Sequence, residues 1–341
     1  MKKILTFGEI MMRLQPPEYK RFSDAKDFEL YFGGAEANAA VSLAGFGTDA
    51  VFFTKLPENA LADACVRDLK SRGVNVDFIL RGGDRMGIYF CEKGVSQRPS
   101  RIIYDRKGAS INTLFEGDID VARLLDGVEW FHFSGITPAL SDTVLFTLKK
   151  ILFEAKKRGI TVSCDLNFRK NLWSVERARA VMTELVSLSD VLISNEEECK
   201  SVFGLEAEGA DITGGTLDAG GYARLAGTLC DIFKNLKIVA FTLRGSRSAD
   251  VNDWSGILVA DGKCYRSKEY TIRVVDRIGG GDSFSAGLIY SVLYRKDFQY
   301  AVDFAVAASC LKHSVAGDFN SATVSEVEEL MSGDGSGRIK R

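Results

Sequence analysis

The chain has 341 residues, 46% of them hydrophobic and 26% charged, and its formal net charge is −2. These values are ordinary for a globular protein, and the near-zero charge provides no basic field that would attract nucleic acid or an anionic membrane. The seven cysteines form no CxxC pair and show no ligand-like spacing, which excludes a typical structural zinc site and favours reduced thiols. We therefore expect a cytoplasmic protein that has neither nucleic acid nor a membrane as its partner.

The N-terminal residues predict a strand over 4–8, because Glu9 and Arg13 interrupt the apolar run before it could form a signal peptide. Residues 13–30 are polar and include two prolines, as is typical of strands and turns at a sheet edge. The length would allow two domains, but α/β folds often form one larger unit. We expect a single domain over 1–330 and a disordered tail over 331–341.

A small-residue helix is predicted over 35–44, after the diglycine Gly33–Gly34, which permits close backbone approach. Asn38 is the polar exception in this helix. It either faces solvent or reaches over the diglycine to a ligand hydroxyl. The following GFGTDA fits a dinucleotide GxGxxA pattern, but it follows a helix and precedes a strand, which is the wrong context for that motif.

The segment 86–105 differs from its surroundings because two strand-like runs flank a polar turn, which predicts a hairpin with no crossover helix. A hairpin cannot lie in the middle of a parallel sheet. We therefore expect a small second sheet outside the main one, built from about 10–31 and 86–108. Such a flap could serve as a lid that excludes water from a reaction site.

Strands and helices alternate regularly through the rest of the chain, which predicts a doubly wound, mostly parallel sheet with ligands at the carboxyl ends of its strands. The predicted elements are a helix over 60–72, strands over 76–80, 128–135, 160–167, 191–195 and 238–246, and helices over 141–158, 174–188, 196–203 and 300–313. Residues 206–222 are rich in glycine, Asp and Thr, and are expected to form a mobile surface insertion.

Polar residues follow two of these strands at the edge where ligands are expected. Asn167 and Arg169 follow the strand that ends near Asp165, and the sequence NEEE places Asn195 and Glu198 after the next strand. Asn195 either caps its helix or, with Glu198, holds a metal through water.

The segment VVDRIGGGDSFSAGLIY, residues 274–290, combines a β-branched strand, three glycines, one aspartate and an amphipathic helix. Gly279, Gly280 and Gly281 can adopt backbone angles that are closed to other residues, and we expect such angles at Gly281, so that Gly281→Val should fold poorly. Their amides and the positive end of the helix dipole would form an anion site. Asp282 would take a proton from a hydroxyl that attacks a bound phosphoryl group, or would only cap the helix.

Three stretches, GGAEANAA, NEEE and DRIGGGDSFSAG, together resemble the ribokinase-like carbohydrate kinases of the phosphofructokinase-B type. The resemblance covers essentially the whole chain. It departs from the usual pattern at Gly280, where alanine is common and where the swap preserves the backbone donors. The chain contains no Walker-type GxxxxGK[ST] motif, in agreement with a kinase that holds phosphates on a strand-to-helix turn.

Within that family, EKGVSQRPSRIIYDRKGAS, FSGITPALS, DLNFRKNLW and TLRGSRSADVNDWSG are most similar to kinases of the sugar acid 2-keto-3-deoxygluconate. The resemblance implies the use of ATP and Mg²⁺, and allows a monovalent cation. It places around the sugar acid Gly33, Gly34, Asn38, Tyr89, Tyr104, Arg106, Arg169, Asp282 and Asp318. It places around the nucleotide Asn167, Asn195, Thr242, Arg244, Gly245, Gly279, Gly281, Ser309 and His313.

Two arginines support a sugar acid independently of the resemblance, because the planar guanidinium fork suits a carboxylate. Arg106 and Arg169 are these residues, although Arg106 could instead only pair with an acidic neighbour. Rival hypotheses are a fructokinase or other neutral-sugar kinase, a sugar-binding regulator without turnover, and a dinucleotide-dependent oxidoreductase. The exposed edges of the lid hairpin also predict a homodimer, or a multiple of one, that pairs two lids.

Overall fold

The computed structural model describes residues 1–207 and 219–333. Most of the predicted insertion at 206–222 and of the predicted tail at 331–341 therefore lies outside the described residues. Within them, no helix is long and apolar enough to cross a membrane.

Fourteen strands and ten α-helices are present in the described ranges. The strands are β1 (Lys3–Phe7), β2 (Met11–Gln15), β3 (Glu29–Gly33), β4 (Asp49–Leu56), β5 (Ile79–Arg81), β6 (Gly87–Glu92), β7 (Arg101–Asp105), β8 (Trp130–Ser134), β9 (Thr161–Asp165), β10 (Val191–Ser194), β11 (Ile238–Ser246), β12 (Val251–Ala260), β13 (Lys263–Arg266) and β14 (Tyr270–Arg273). The helices are α1 (Ala35–Gly45), α2 (Ala60–Ser71), α3 (Val121–Leu124), α4 (Asp142–Lys157), α5 (Val175–Val186), α6 (Glu196–Phe203), α7 (Ala219–Ile232), α8 (Gly280–Leu293), α9 (Phe298–His313) and α10 (Val324–Ser332).

The main sheet has ten strands in the described part of the chain, in the order β13-β12-β11-β10-β9-β8-β1-β4-β5, with β14 also paired to β12. The pairs from β11 through to β5 are parallel, and β12 adds an antiparallel edge. Strands β8 and β10 are buried along their whole length, as expected for parallel strands covered on both faces. The predicted fold class, a doubly wound and mostly parallel ribokinase-like sheet, is confirmed.

Helices cover both faces of this sheet and form two hydrophobic layers. One layer packs α3 to α7 against the sheet, and the other packs α1, α2, α8, α9 and α10. One cavity is lined by the first turns of α1 and α8 and by the carboxyl ends of β9, β10 and β11. The fold thus brings together residues that are far apart in the sequence.

A second sheet of four strands, in the order β3-β2-β6-β7, lies outside the main one. The segment predicted as a hairpin forms β6 and β7, which pair antiparallel, whereas β2 and β6 are parallel. We call this element the small sheet.

The predicted strand over 76–80 differs from the structure, where β5 is Ile79–Arg81. Asn75 makes an isolated bridge to Val51, and its side chain then accepts a hydrogen bond from the Asp77 amide at 3.0 Å. This local turn interrupts the pairing, because the asparagine side chain competes with the ladder for the backbone amide.

Candidate active site

The glycine turn between Asp276 and α8 has one residue with left-handed backbone geometry. Gly279 has φ 86°, and a methyl group added there would overlap the Asp318 carbonyl oxygen. Gly280 has no positive φ, but its Cβ would overlap the His313 ring. Gly281 also has no positive φ and faces open space, so the expectation of unusual backbone angles at Gly281 is wrong. Of these three glycines, only Gly279 has a backbone conformation that favours glycine.

Two residues of α9 support this turn from behind. Ser309 donates a hydrogen bond to the Gly280 carbonyl at 2.7 Å, and His313 Nδ1 lies 2.7 Å from the Ser309 carbonyl oxygen. Burial lowers the pKa of His313 to about 4, so the ring is neutral at ordinary pH and Nδ1 donates to that carbonyl. Ser309 is fully buried and does not line the cavity.

Asp282 lies in the first turn of α8, where its carboxylate accepts a hydrogen bond from Asn38 Nδ2 at 2.7 Å. Asn38 is 2% exposed, so the solvent-facing alternative for this residue is wrong. Asp282 lines the floor of the cavity, and burial there raises its pKa to about 7, against the opposing hydrogen bond from Asn38. A carboxylate with a pKa near neutrality is suited to general-base chemistry.

Three acidic or amide side chains from β9 and the start of α6 form one wall. Asn195 caps α6, because its side-chain oxygen accepts a hydrogen bond from the Glu198 amide at 3.0 Å. This is the capping role predicted as one of the two alternatives for Asn195. Burial raises the pKa of both Asp165 and Glu198, and the nearby Glu198 carboxylate raises the pKa of Asp165 further. Because ionisation of one of these carboxylates disfavours ionisation of the other, a cation bound beside them would lower the electrostatic free energy.

The small sheet and the residues beside it provide another wall, where Arg106, directly after β7, forms an ion pair with Glu9, between β1 and β2. Glu9 is 4% exposed, and its Oε1 has no hydrogen-bond partner among the described residues. Burial raises the pKa of Glu9, although Arg106 opposes this effect. The Arg106 guanidinium also lies 5.5 Å from the centre of the Tyr104 ring. The alternative in which Arg106 only pairs with an acidic residue therefore has a partner in the structure, which is Glu9.

Behind this wall lies a buried ionic network. Arg13, fully buried on β2, contacts Asp318 Oδ1 at 2.7 Å and Asp276 Oδ2 at 2.8 Å. The Tyr89 hydroxyl donates to the other oxygen of Asp318. Asp318 lies between α9 and α10, so its carboxylate joins this helical segment to β2 and β6 of the small sheet.

The end of the cavity beside β11 is basic. Arg277 donates hydrogen bonds to the Ala249 carbonyl at 2.9 Å and to Asn252 Oδ1 at 3.3 Å. Burial lowers the pKa of Arg277, and the neighbouring Arg244 lowers it further. Two guanidinium groups in such proximity form a favourable site for a polyanion.

These walls enclose a cavity of about 400 Å³, within the size range of small-molecule sites. The predicted site residues that line it are Gly33, Gly34, Asn38, Tyr89, Tyr104, Arg106, Asn167, Arg169, Asn195, Glu198, Thr242, Arg244, Gly279, Gly280, Gly281, Asp282, His313 and Asp318. Gly245 and Ser309 do not line it.

Sequence reasoning missed Glu9, Asp165 and Arg277 as cavity residues. Glu9 was noticed only as an interruption of an apolar run, and Asp165 only as the end of a strand. Each of the three ends a strand or follows one within a few residues, which is the signal that could have identified them.

Comparison with known proteins gives a consistent result. The model of a family described as pfkB family carbohydrate kinase matches residues 1–323. The chain is 46% identical to a 2-dehydro-3-deoxygluconokinase of Thermotoga maritima of known crystal structure, with a TM-score of 0.94 and coverage of 98% of this chain and 100% of that one.

Two further relatives extend this likeness. A 2-dehydro-3-deoxygalactonokinase of Haloferax volcanii is 31% identical over 98% of each chain. A sugar kinase of Pyrococcus horikoshii, solved in complex with ATP, has the same fold at 21% identity, with a TM-score of 0.74 and coverage of 96% and 99%.

Proposed function

Since the chain belongs to the pfkB family of carbohydrate kinases, we propose that it transfers the γ-phosphoryl group of ATP to the terminal hydroxyl of 2-keto-3-deoxygluconate, also called 2-dehydro-3-deoxygluconate. The observation that carries this proposal is the position of the Asp282 carboxylate, at the floor of the cavity and in the first turn of α8. Phosphoryl transfer needs a base for the hydroxyl and a stabilising field for the phosphoryl charge, and this helix end supplies both.

Asp282 is the general base of the proposed reaction. It takes the proton of the sugar hydroxyl as that oxygen attacks the γ-phosphorus, and the bond from this phosphorus to the bridging oxygen of ADP breaks. Asn38 holds the carboxylate in place through its 2.7 Å hydrogen bond. The amides of Gly279 to Asp282 form the anion hole for the transferring group, aided by the helix dipole.

The nucleotide is assigned to the basic end of the cavity. Thr242 and Arg244 line this end together with His313, and Arg277 adds a second guanidinium that is anchored to backbone. Gly245 and Ser309 would act indirectly, through the shape of β11 and of the glycine turn. Asn167 lines the same cavity.

Mg²⁺ fits the wall formed by Asp165, Glu198 and Asn195, because a cation would neutralise two carboxylates whose pKa values are raised. When bound, Mg²⁺ would supply charge stabilisation for the phosphates of ATP. The described residues contain no group of three or more His, Cys, Asp or Glu able to enclose a metal, so water and phosphate oxygens would complete its coordination.

The sugar acid is assigned to the end beneath the small sheet, where Arg106 pairs with Glu9. Arg169 also lines the cavity, and it lies close enough to Asp282 and Glu198 to lower their pKa values. The carboxylate of the substrate would bind to these guanidinium groups, while Gly34, Tyr89 and Tyr104 surround the sugar chain. The small sheet would act as the lid that excludes water. The names of the Thermotoga maritima and Haloferax volcanii relatives, both kinases of 2-dehydro-3-deoxy sugar acids, support this substrate class.

A comparison of kcat/KM for 2-keto-3-deoxygluconate, its galactonate epimer and fructose tests the proposal, with ADP formation as the readout. We expect either sugar acid to exceed fructose by at least about 100-fold, because a carboxylate that fills a built arginine site contributes several kcal/mol. Higher kcat/KM with fructose would favour a neutral-sugar kinase instead. The ion pair between Glu9 and Arg106 favours that second candidate, because it already occupies one carboxylate-binding arginine.

Arg106→Ala is expected to lower kcat/KM for the sugar acid by about 10- to 150-fold, the loss of a charge-assisted hydrogen bond of roughly 1.5–3 kcal/mol. A neutral analogue without the carboxylate should be a poor substrate for the wild type and should lose little further. Arg106→Lys should recover only part of the loss, since lysine lacks the planar fork.

Glu9→Gln is the matched control for Arg106→Ala, because it removes the charged partner of Arg106 and keeps the guanidinium. If Arg106 serves the substrate, Glu9→Gln should retain selectivity for the sugar acid. Equal losses for the acid and the neutral analogue, in both variants, would mean that Arg106 only pairs with Glu9.

The proposed quaternary structure is a homodimer formed through the small sheet. Strand β7 is exposed along its whole length, and Leu30, Ile102 and Ile103 are 46%, 42% and 56% exposed on the described chain. Light scattering after size exclusion is expected to give twice the 37.4 kDa chain mass, or a multiple of that dimer mass, at micromolar concentration. Ile103→Glu should yield monomers, whereas a wild type that is already monomeric would contradict the proposal.

A further inference from the structure

Lys312, in the last turn of α9, is a buried cation that the proposed mechanism does not use. The residue has 0% exposure, and its Nζ has no hydrogen-bond partner among the described residues. Lysine is almost never fully buried without a partner, because desolvation of an ammonium costs several kcal/mol. The burial of Lys312 therefore needs an explanation other than a contribution to stability.

The location of Lys312 suggests this reason. A methyl group added to Gly279 would lie 3.1 Å from Lys312 Cε, so the lysine side chain runs directly beneath the glycine turn. The other side of this turn faces the cavity through Gly279, Gly280 and Gly281. Lys312 therefore places its charge behind the amides of the anion hole, out of reach of the substrate.

Charge balance explains how the ammonium is tolerated there. Two buried carboxylates, Asp276 and Asp318, are accompanied by two buried cations, Arg13 and Lys312, all of them at most 3% exposed. Burial lowers the pKa of Lys312, but Asp276 and then Asp318 oppose this effect. Within the described ranges, Arg13 makes the direct ion pairs with both carboxylates, so Lys312 supplies the second positive charge from a distance.

We propose that Lys312 is a positioning residue of the phosphoryl-transfer site, whose ammonium supplies the fixed positive charge beneath the anion hole. This inference rests on the proposed function. It also means that the monovalent cation allowed by the family resemblance does not fit beside this turn. The buried carboxylates there are already neutralised by residues of the chain, and a further cation would have no counter-charge.

The wild-type enzyme provides the first test, with K⁺, Na⁺ or tetramethylammonium as the only monovalent cation at constant ionic strength. We expect kcat to agree within about twofold among the three conditions, since the chain carries its own cation. Activation by K⁺ of about tenfold or more would overturn the proposal. This test does not depend on the folding of any variant.

Lys312→Met is the second test, because methionine fills a similar volume without charge. We expect kcat to fall roughly tenfold or more, with little change in KM for the sugar, since the charge acts on the transferring phosphoryl group. A purely structural lysine would instead change thermal stability and leave kcat of the folded fraction unchanged. The neighbouring Leu311→Met is the matched control and should behave as wild type.

Calorimetry without sugar separates this proposal from the substrate assignment. Lys312→Met should bind ADP–Mg²⁺ with aluminium fluoride, a mimic of the phosphoryl group in transfer, roughly tenfold more weakly than wild type. If the wild type fails to phosphorylate the sugar acid but this difference remains, only the substrate assignment is wrong. Equal affinities together with equal kcat values would overturn the role of Lys312.

Discussion

Asp282→Asn is expected to keep the fold and to bind both substrates, while kcat falls about 10²–10⁴-fold. The substitution changes one carboxylate oxygen to an amide nitrogen, and the remaining oxygen would still accept the hydrogen bond from Asn38. The loss therefore isolates proton removal from binding. Steady-state kinetics measures the fall in kcat, and calorimetry measures the binding of the sugar acid. Near-wild-type turnover would mean that the proton leaves by another route.

The pH dependence gives a second measurement on the same carboxylate. Burial raises the pKa of Asp282 to about 7, and a general base works only when ionised, so wild-type kcat/KM should fall as pH drops below about 7. Because the pKa is raised from 3.8 in the unfolded chain to about 7 in the folded one, ionisation of Asp282 lowers stability as pH rises between these two values, and the full cost is present above about 7. Asp282→Asn should therefore be at least as stable as wild type at pH 8. Asp261→Asn, the same change on an exposed turn residue, is the control and should alter neither property.

Gly279→Ala is expected to lower the free energy of unfolding by about 2–5 kcal/mol and to abolish most activity. Its φ of 86° disfavours any residue with a Cβ, and the new methyl group would overlap the Asp318 carbonyl oxygen. Chemical denaturation measures the first effect, and turnover of the folded fraction measures the second.

Gly281→Ala is the matched control for the glycine turn, because its Cβ would meet no atom within 4 Å. Its stability should stay within about 1 kcal/mol of wild type, since alanine is a better helix former than glycine. Its activity should still fall, because the methyl group would project into the space assigned to the phosphoryl group. If both variants lost the same stability, backbone geometry would not distinguish the two glycines.

Local patterns predicted most of the fold, although the strand expected at the start of residues 274–290 is not formed, because β14 ends at Arg273. The alternation of strands with helices indicated the parallel sheet, because a right-handed crossover is the usual way to join parallel strands. The polar turn within 86–105 separated β6 and β7 from that sheet. The β5 boundary was wrong because Asn75 forms a side-chain turn that periodicity does not reveal.

The site was only partly predictable, because its decisive contacts join distant segments. Asn38 and Asp282 are 244 positions apart, and no local pattern indicates that their side chains touch. Arg106 was singled out correctly as a cavity residue, but its pairing with Glu9 depends on how the small sheet meets β1. Lys312 was missed because a lysine near a helix C-terminus usually faces solvent, and only tertiary packing buries this one.

The buried Arg13 also constrains the order in which the chain can fold. Its partner Asp318 lies 305 positions later, so Arg13 emerges from the ribosome long before this counter-charge exists for it. Domains generally fold as units during synthesis, and an unpaired guanidinium cannot be desolvated at acceptable cost. We therefore expect the N-terminal strand β2 to remain hydrated and undocked until almost the whole chain has been synthesised. Productive folding of this kinase is expected to be largely post-translational, with the docking of β2 among its last steps.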